Sequence, residues 1–273
     1  MKQGFASRWL ASLPAEELTR LAANSATIAR ADAARAEAAR AASVRAAAEG
    51  ATAQAAMVAV ARARPPVLPP TAASTAAVLV LARTEAELVD FVRRNPHTER
   101  EVTLVPLANP GKRHGSYAVV ANKFISERKE DVVGIIHCDT TFAAGALREL
   151  AIASLRDGGQ ITGMVGRALT GAYVWSRDGG GIISTLDCCS IFFPRAIGLR
   201  FDEKTFDDFH CMVEDICLQG AVAGVRAFVP RTGLADHHGW GVYNDPKWLG
   251  NHAKYRRLLA AKWPGRRFIT TCD

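Results

Sequence analysis

Residues 132–141 read VVGIIHCDTT, an apolar run that ends in an imidazole, a thiol and a carboxylate at His137, Cys138 and Asp139. Residues i and i+2 of an extended chain point to the same side. His137 and Asp139 can therefore offer a nitrogen and an oxygen to one divalent cation. A carboxylate at the tip of a buried strand needs a compensating charge. The other job open to Asp139 is to cap a helix beginning near Thr140 or Thr141. Two further groups carry chemistry. Glu214 and Asp215 precede the apolar stretch ICLQGAVAGV, which places them in the first turn of a helix, where the dipole favours carboxylates. In LADHHGWGVYND (234–245) His237 and His238 are adjacent, so at most one of them faces a metal.

These residues need elements to hold them. AAVLVLA (76–82) reads as a buried strand, TEAELVDFVRRN (84–95) as an amphipathic helix, and EVTLVPLA (101–108) as a second strand. GSYAVVANKFISERKED (115–131) resumes helical spacing before VVGIIHCD, the third strand. Strand alternating with helix predicts an α/β fold with a parallel sheet and crossover helices. Ligands of such sheets collect at the carboxyl ends of the strands, where His137 and Asp139 stand. GRALTGAYVWSRDGGGIIS (166–184) lacks the spacing of a phosphate-cradling loop and is predicted to be a flexible loop. NDPKWLGNHAKYRRLL predicts a final helix whose Lys254, Arg256 and Arg257 form a solvated face.

Upstream, about Ala15 to Arg64 is rich in alanine with spaced arginines, strong helix formers, and predicts a helical arm over 1–64. Burying alanine contributes little, so a solvated helix or an oligomerisation arm through 15–64 is the expectation. Prolines in RARPPVLPP stop it, giving a linker over 65–75 and a separate domain over 76–273. Of the net charge of +7, residues 1–70 hold +4, with nine Lys/Arg against five Asp/Glu. A basic balance suits nucleic acid, an acidic membrane face or a phosphorylated small molecule, and does not choose among them. No uninterrupted apolar run is long enough to span a membrane and no apolar leader opens the chain, so a soluble, cytoplasmic protein is expected. The six cysteines form no regular framework. Cys211 and Cys217 lie near His210, but at a spacing that fits no common zinc pattern, and packing is the expected role of most of these thiols.

SYAVVANKFISERKEDVVGIIHCDTTF resembles the segment of GT-A-fold glycosyltransferases in which an asparagine-bearing helix leads into a strand ending in DxD or, in one subgroup, HxD. STLDCCSIFFPRAIGLRFDEKTFDDFHCMVEDICLQGAVAGVRAFVP resembles that family's acceptor half, with its ED motif opening a helix. The resemblance, to the family-2-like inverting members, covers roughly residues 76–250. It implies a Rossmann-type, mixed but mostly parallel sheet flanked by helices, to which the Ala/Arg-rich arm is an addition. It also implies Mn²⁺ or Mg²⁺ holding the diphosphate of a nucleoside-diphosphate sugar. Asp139 and His137 take the metal motif, Asn122 the helix asparagine, and His237 or His238 the loop histidine near the metal, His237 fitting slightly better. Asp187 and Glu214 fall on the acceptor side. Asp215 takes the place of the general base that deprotonates an acceptor hydroxyl, with Glu214 orienting it, and one base without a nucleophile implies inversion. Trp240 and Tyr243 offer rings to stack on a base or sugar. The alternatives are a nucleotidyltransferase of related topology and a binding or assembly protein that uses the basic arm; the acceptor, whether protein, glycan or nucleic acid, is not marked.

Overall fold

The computed structural model describes residues 75–98, 102–208, 210–232, 235–239 and 246–271, together with positions 16 and 37. The chain divides into two compact units, Met1–Glu49 and Gly50–Asp273, and everything below lies in the second. The predicted arm but for positions 16 and 37, and the linker but for Thr75, fall outside the described residues.

The apolar run 76–82 forms β1 (Ala76–Ala82), buried along nearly its whole length. Its odd residues Ala77, Leu79 and Leu81 belong to one core cluster and its even residues Val78, Val80 and Ala82 to another. Apolar side chains on both faces mark a strand covered by helices on both sides. β1 lies between β2 (Thr103–Ala108) and β3 (Val132–His137), parallel to both. The intervening α1 (Glu85–Arg94) starts at Thr84, whose side chain accepts from the Glu87 amide, and buries Leu88 and Phe91 on the even face. α2 (Tyr117–Glu127) starts at Ser116, which accepts from the Val119 amide, and covers the odd face. Element order in this half follows the sequence expectation.

Beyond β3 come β4 (Thr140–Phe142), α3 (Ala146–Leu155), β5 (Gln160–Thr162), β6 (Val165–Arg167), β7 (Tyr173–Trp175), β8 (Gly181–Ile183), β9 (Thr185–Leu186) and β10 (Ser190–Pro194). α4 (Met212–Val222), β11 (Arg226–Val229), β12 (Ala235–His237) and α5 (Pro246–Lys262) complete the order. The large sheet runs β2-β1-β3-β10-β5-β11-β8. From the pairings, β2, β1, β3, β5 and β11 point one way and β10 and β8 the other, so the sheet is mixed and mostly parallel, flanked by helices. Small sheets β12-β4 and β7-β6-β9 stand beside it. Among the described residues no helix is long and apolar enough to cross a membrane.

Two expectations are corrected. No helix begins at Thr140 or Thr141: both pair with β12, and α3 starts only after Gly145, at φ +86°. Asp139 is thus not a helix cap. Nor is 166–184 a flexible loop, since it supplies β6, β7 and β8. Its glycines serve close approach. A Cβ at Gly166 would sit 2.5 Å from the Thr185 carbonyl oxygen, and one at Gly180 would sit 2.2 Å from that of Val229.

His210 and Cys217 do not converge. The His210 ring packs against Trp248, His252 and Tyr255, while Cys217 Sγ accepts from the Leu186 amide at 3.4 Å. Burial pushes His210 down to about 4, with Asp208 opposing and His252 assisting. Because the folded state favours the neutral ring, this contribution is complete above the unfolded value of about 6.5 and is lost as pH falls toward about 4. Chemical denaturation across that interval should show stability falling with pH, and His210→Phe should flatten the slope. A second expectation concerns β3. A Cβ at Gly134 would meet the Phe192 ring at 2.5 Å. Gly134→Ala should therefore lower stability by about 1–3 kcal/mol in urea unfolding, and adding Phe192→Leu should recover part of the loss.

Candidate metal centre

The end of β3 is fixed by its neighbours on both sides. The His137 amide donates to the Cys189 carbonyl and the Cys138 amide to the Leu81 carbonyl, each at 3.0 Å. The turn that follows is gripped by the last turn of α1. Arg94 Nη2 donates to the Cys138 carbonyl at 2.7 Å, and Arg94 Nη1 to the Thr140 carbonyl at 3.1 Å. Asn95 donates to the Thr140 carbonyl through Nδ2 and accepts from the Phe142 amide through Oδ1, at 3.1 and 2.8 Å. Thr140 Oγ1 closes the turn by donating to the His137 carbonyl at 2.7 Å. Cys138 points toward α1, its thiol 3.7 Å from Glu87 Oε2, and burial pushes it up to about 12, so it offers no thiolate.

The ribbon of β4 and β12 then carries the histidine loop to this turn. His237 pairs with Thr140, and the His238 amide donates to the Asp139 carbonyl at 2.9 Å. As a result one ligand atom each from His137, Asp139 and His237 lies within 4.8 Å of the others. His237 Nε2 is 3.4 Å from Asp139 Oδ2. His238 turns away, its Nε2 at 2.8 Å from Thr141 Oγ1. Trp240 and Tyr243 lie outside the described residues.

Burial alone would raise Asp139, but the His237 hydrogen bond and the His137 and His237 charges hold it at about 2. Burial likewise pushes His137 down, against the pull of Asp139. For His237 burial is outweighed by the Asp139 hydrogen bond and the Asp187 and Asp139 charges, so its pKa is raised. Among the described residues nothing donates to the buried Asp139 Oδ1. An orphaned buried carboxylate oxygen demands a partner, and a divalent cation between two imidazoles and this carboxylate is one that fits. Gly239 keeps the place open: a Cβ there would lie 2.9 Å from both Asp139 Oδ2 and His237 Nε2.

The remaining candidates lie apart from this trio or beside it. Asp187 is buried, with Oδ1 3.9 Å from His237 Nδ1. The Asn122 amide is engaged with the 201–203 segment: it accepts from the Phe201 amide at 2.9 Å and donates to the Phe201 carbonyl and Glu203 Oε1, each at 2.8 Å. Glu214 is buried in the first turn of α4. Asp215 is fully buried and accepts from Gln219 Nε2 at 2.7 Å, Lys262 Nζ at 2.9 Å and Trp263 Nε1 at 2.8 Å. Lys262 Nζ also reaches Asp202 Oδ2 at 2.8 Å, so one ammonium bridges two carboxylates. Burial raises Asp215 while Lys262, Trp263 and Gln219 oppose the shift. The chain after α5 is tied down by Arg167, Tyr173 and Thr185, which donate to the carbonyls of Thr270, Thr271 and Ile269. Sequence reasoning did not find Arg94, Asn95, Lys262 or Trp263. Gly239 was visible only as a small residue after the histidine pair.

No protein-family model and no curated protein matches the chain. Solved structures do. The chain is similar to the mannosyltransferase PcManGT from Pyrobaculum calidifontis in complex with GDP-Man and Mn²⁺, at 14% identity over 81% of this chain and 79% of that one, TM-score 0.46. It is similar to GalNAc-T7 with UDP, GalNAc and Mn²⁺, at 9% identity over 68% of this chain and 48% of that one, TM-score 0.47. TarS residues 1–349 of S. aureus match at 11% identity over 69% of this chain and 70% of that one, TM-score 0.40. At these identities the likeness concerns the fold alone.

Removing one member of a buried ion pair leaves the other charge uncompensated, at about 3–5 kcal/mol. Lys262→Met should therefore destabilise the protein by about that amount in urea unfolding. Lys262→Met with Asp215→Asn should lose less than the sum of the single changes.

Proposed function

We propose that the protein is a metal-dependent glycosyltransferase that moves a sugar from a nucleoside-diphosphate sugar to an acceptor hydroxyl. The observation that carries this reading is the unpartnered, buried Asp139 Oδ1 within a group of two imidazoles and one carboxylate. It stands at the carboxyl end of β3, where open α/β sheets bind ligands. His137, Asp139 and His237 would hold the ion. Mixed nitrogen and oxygen donors favour Mn²⁺ over Mg²⁺, because magnesium prefers oxygen alone. When bound, the ion offsets negative charge on the departing diphosphate.

The chain's own residues do the rest. Arg94 and Asn95 hold the turn that aims Asp139, and Gly239 leaves room beside it. Asn122 acts by fixing the 201–203 segment against α2. Trp240, next in sequence to Gly239, is the ring proposed to stack on the donor. Asp215 is the proposed proton acceptor, with Glu214 beside it in the first turn of α4. Its raised pKa suits a base that must hold a proton. Its carboxylate reaches an acceptor only once Lys262 and Trp263 draw back, so the base role requires a movement of the end of α5. With one base and no separate nucleophile, transfer would invert the anomeric centre.

Thermal-shift measurement of nucleoside diphosphates and their sugars, with and without Mn²⁺, tests the reading. Binding confined to the native state stabilises by about 2.7 kcal/mol at a hundredfold excess over Kd. A shift that needs Mn²⁺ and disappears in Asp139→Ala is expected, with nucleoside diphosphate as the released product. Release of pyrophosphate would point to nucleotidyl transfer instead, and no metal-dependent shift with any nucleotide would end the proposal.

A further inference from the structure

His237 is the one proposed ligand that comes from outside β3 and the turn after it, so something besides its own ribbon must decide which ring nitrogen faces the ion. Its imidazole lies between two carboxylates. Asp139 Oδ2 is 3.4 Å from Nε2, and Asp187 Oδ1 is 3.9 Å from Nδ1. Asp187 stands between β9 and β10 with only 6% of its surface exposed. It is itself held, because Oδ1 accepts from the Cys189 amide at 2.9 Å. Cys189 in turn is fully buried, and its carbonyl receives the His137 amide at 3.0 Å. One short segment, 187–189, therefore faces the His237 imidazole through Asp187 and holds the His137 backbone through the Cys189 carbonyl.

A neutral imidazole has one donor nitrogen and one acceptor nitrogen. Without an ion Nε2 faces Asp139 as a donor; once a cation takes the Nε2 lone pair the proton must sit on Nδ1, and the Asp187 charge, 3.9 Å away and too far for a direct hydrogen bond, favours it there. We propose that Asp187 is a positioning residue of the metal centre, selecting the His237 tautomer and ring orientation that present Nε2 beside Asp139. This rests on the reading of His137, Asp139 and His237 as ion ligands. It gives Asp187 a different task from contacting the acceptor, and the near-complete burial of its side chain favours that task.

The test is Mn²⁺ affinity of the full chain, read by EPR of the free ion during titration, for wild type, Asp187→Asn and Asp236→Asn. Asparagine keeps an oxygen for the Cys189 amide but loses the charge facing Nδ1. Asp236 neighbours His237 on β12 but pairs with Arg177, outside the centre. Outer carboxylates on ligand histidines typically contribute about 10- to 100-fold in metal affinity. Asp187→Asn should weaken Mn²⁺ by that factor while Asp236→Asn and the metal-free melting temperatures stay at wild-type values. Equal affinity of Asp187→Asn and wild type overturns the proposal, as does a variant altered only in KM for an acceptor. A wild type that binds no Mn²⁺ is a different result, because it removes the metal centre itself. Should Asp187→Asn fail to fold, the wild-type chain still decides. With Zn²⁺ as a diamagnetic probe, ¹⁵N-edited NMR of His237, assigned by its loss in His237→Gln, should show the proton on Nδ1. A proton on Nε2 overturns the proposal.

Discussion

A half-exposed carboxylate held beside two imidazoles at the tip of a core strand, with one oxygen buried, is the constraint around which the neighbouring elements are arranged at Asp139. Burial would raise its pKa, yet the surrounding imidazoles hold it at about 2. Two histidines from distant parts of the chain face it, of which only His237 has its pKa raised, and one buried oxygen is still left without a donor among the described residues. Such an oxygen is expensive to leave in place. A bound cation is the partner that would satisfy it while also reversing the sign of the local charge for an anionic ligand.

The same requirement explains features that look unrelated in isolation. The last turn of α1 spends the side chains of both Arg94 and Asn95 on backbone carbonyls and an amide of the turn after β3, which fixes the direction of Asp139. The two-stranded ribbon of β4 and β12 has no large core of its own, and its consequence is to lay His237 across from Thr140. Gly239 admits the backbone where any side chain would strike the Asp139 and His237 ligand atoms. At a second pole, Lys262 and Trp263 close over Asp215, so that the carboxylate proposed to move a proton is held by the end of the final helix. The two groups are thus built differently: the trio at Asp139 keeps an oxygen without a donor among the described residues, whereas Asp215 is covered.

Much of the first half was legible because its signals are local. Alternating residues of β1 face two different cores, α1 and α2 begin at Thr84 and Ser116, and the polar tip of β3 declares itself by contrast with the run before it. His137, Asp139 and His237 could be singled out from the sequence as candidates, since few residue types bind divalent cations, and the structure brings their ligand atoms together. The choice between His237 and His238 was not fixed by the sequence alone, because it depends on pairing between strands of three residues each. Reading 166–184 as flexible misjudged its glycines, at least two of which stand where backbones pack too closely for a Cβ. The partners of Asp215 and Asn122 were invisible for a simpler reason: each hydrogen bond joins elements far apart in the chain, and an ED pair or a helical asparagine carries no mark of what will cover it.

The central claim is that two imidazoles and one carboxylate at the end of β3 take a single divalent cation. Pulsed EPR of Mn²⁺ bound to protein labelled with ¹⁵N in its histidines reads this directly. Coupling to two histidine nitrogens is expected, falling to one in either His137→Gln or His237→Gln. A bound Mn²⁺ that shows no histidine nitrogen coupling, or coupling unchanged by both substitutions, would contradict it.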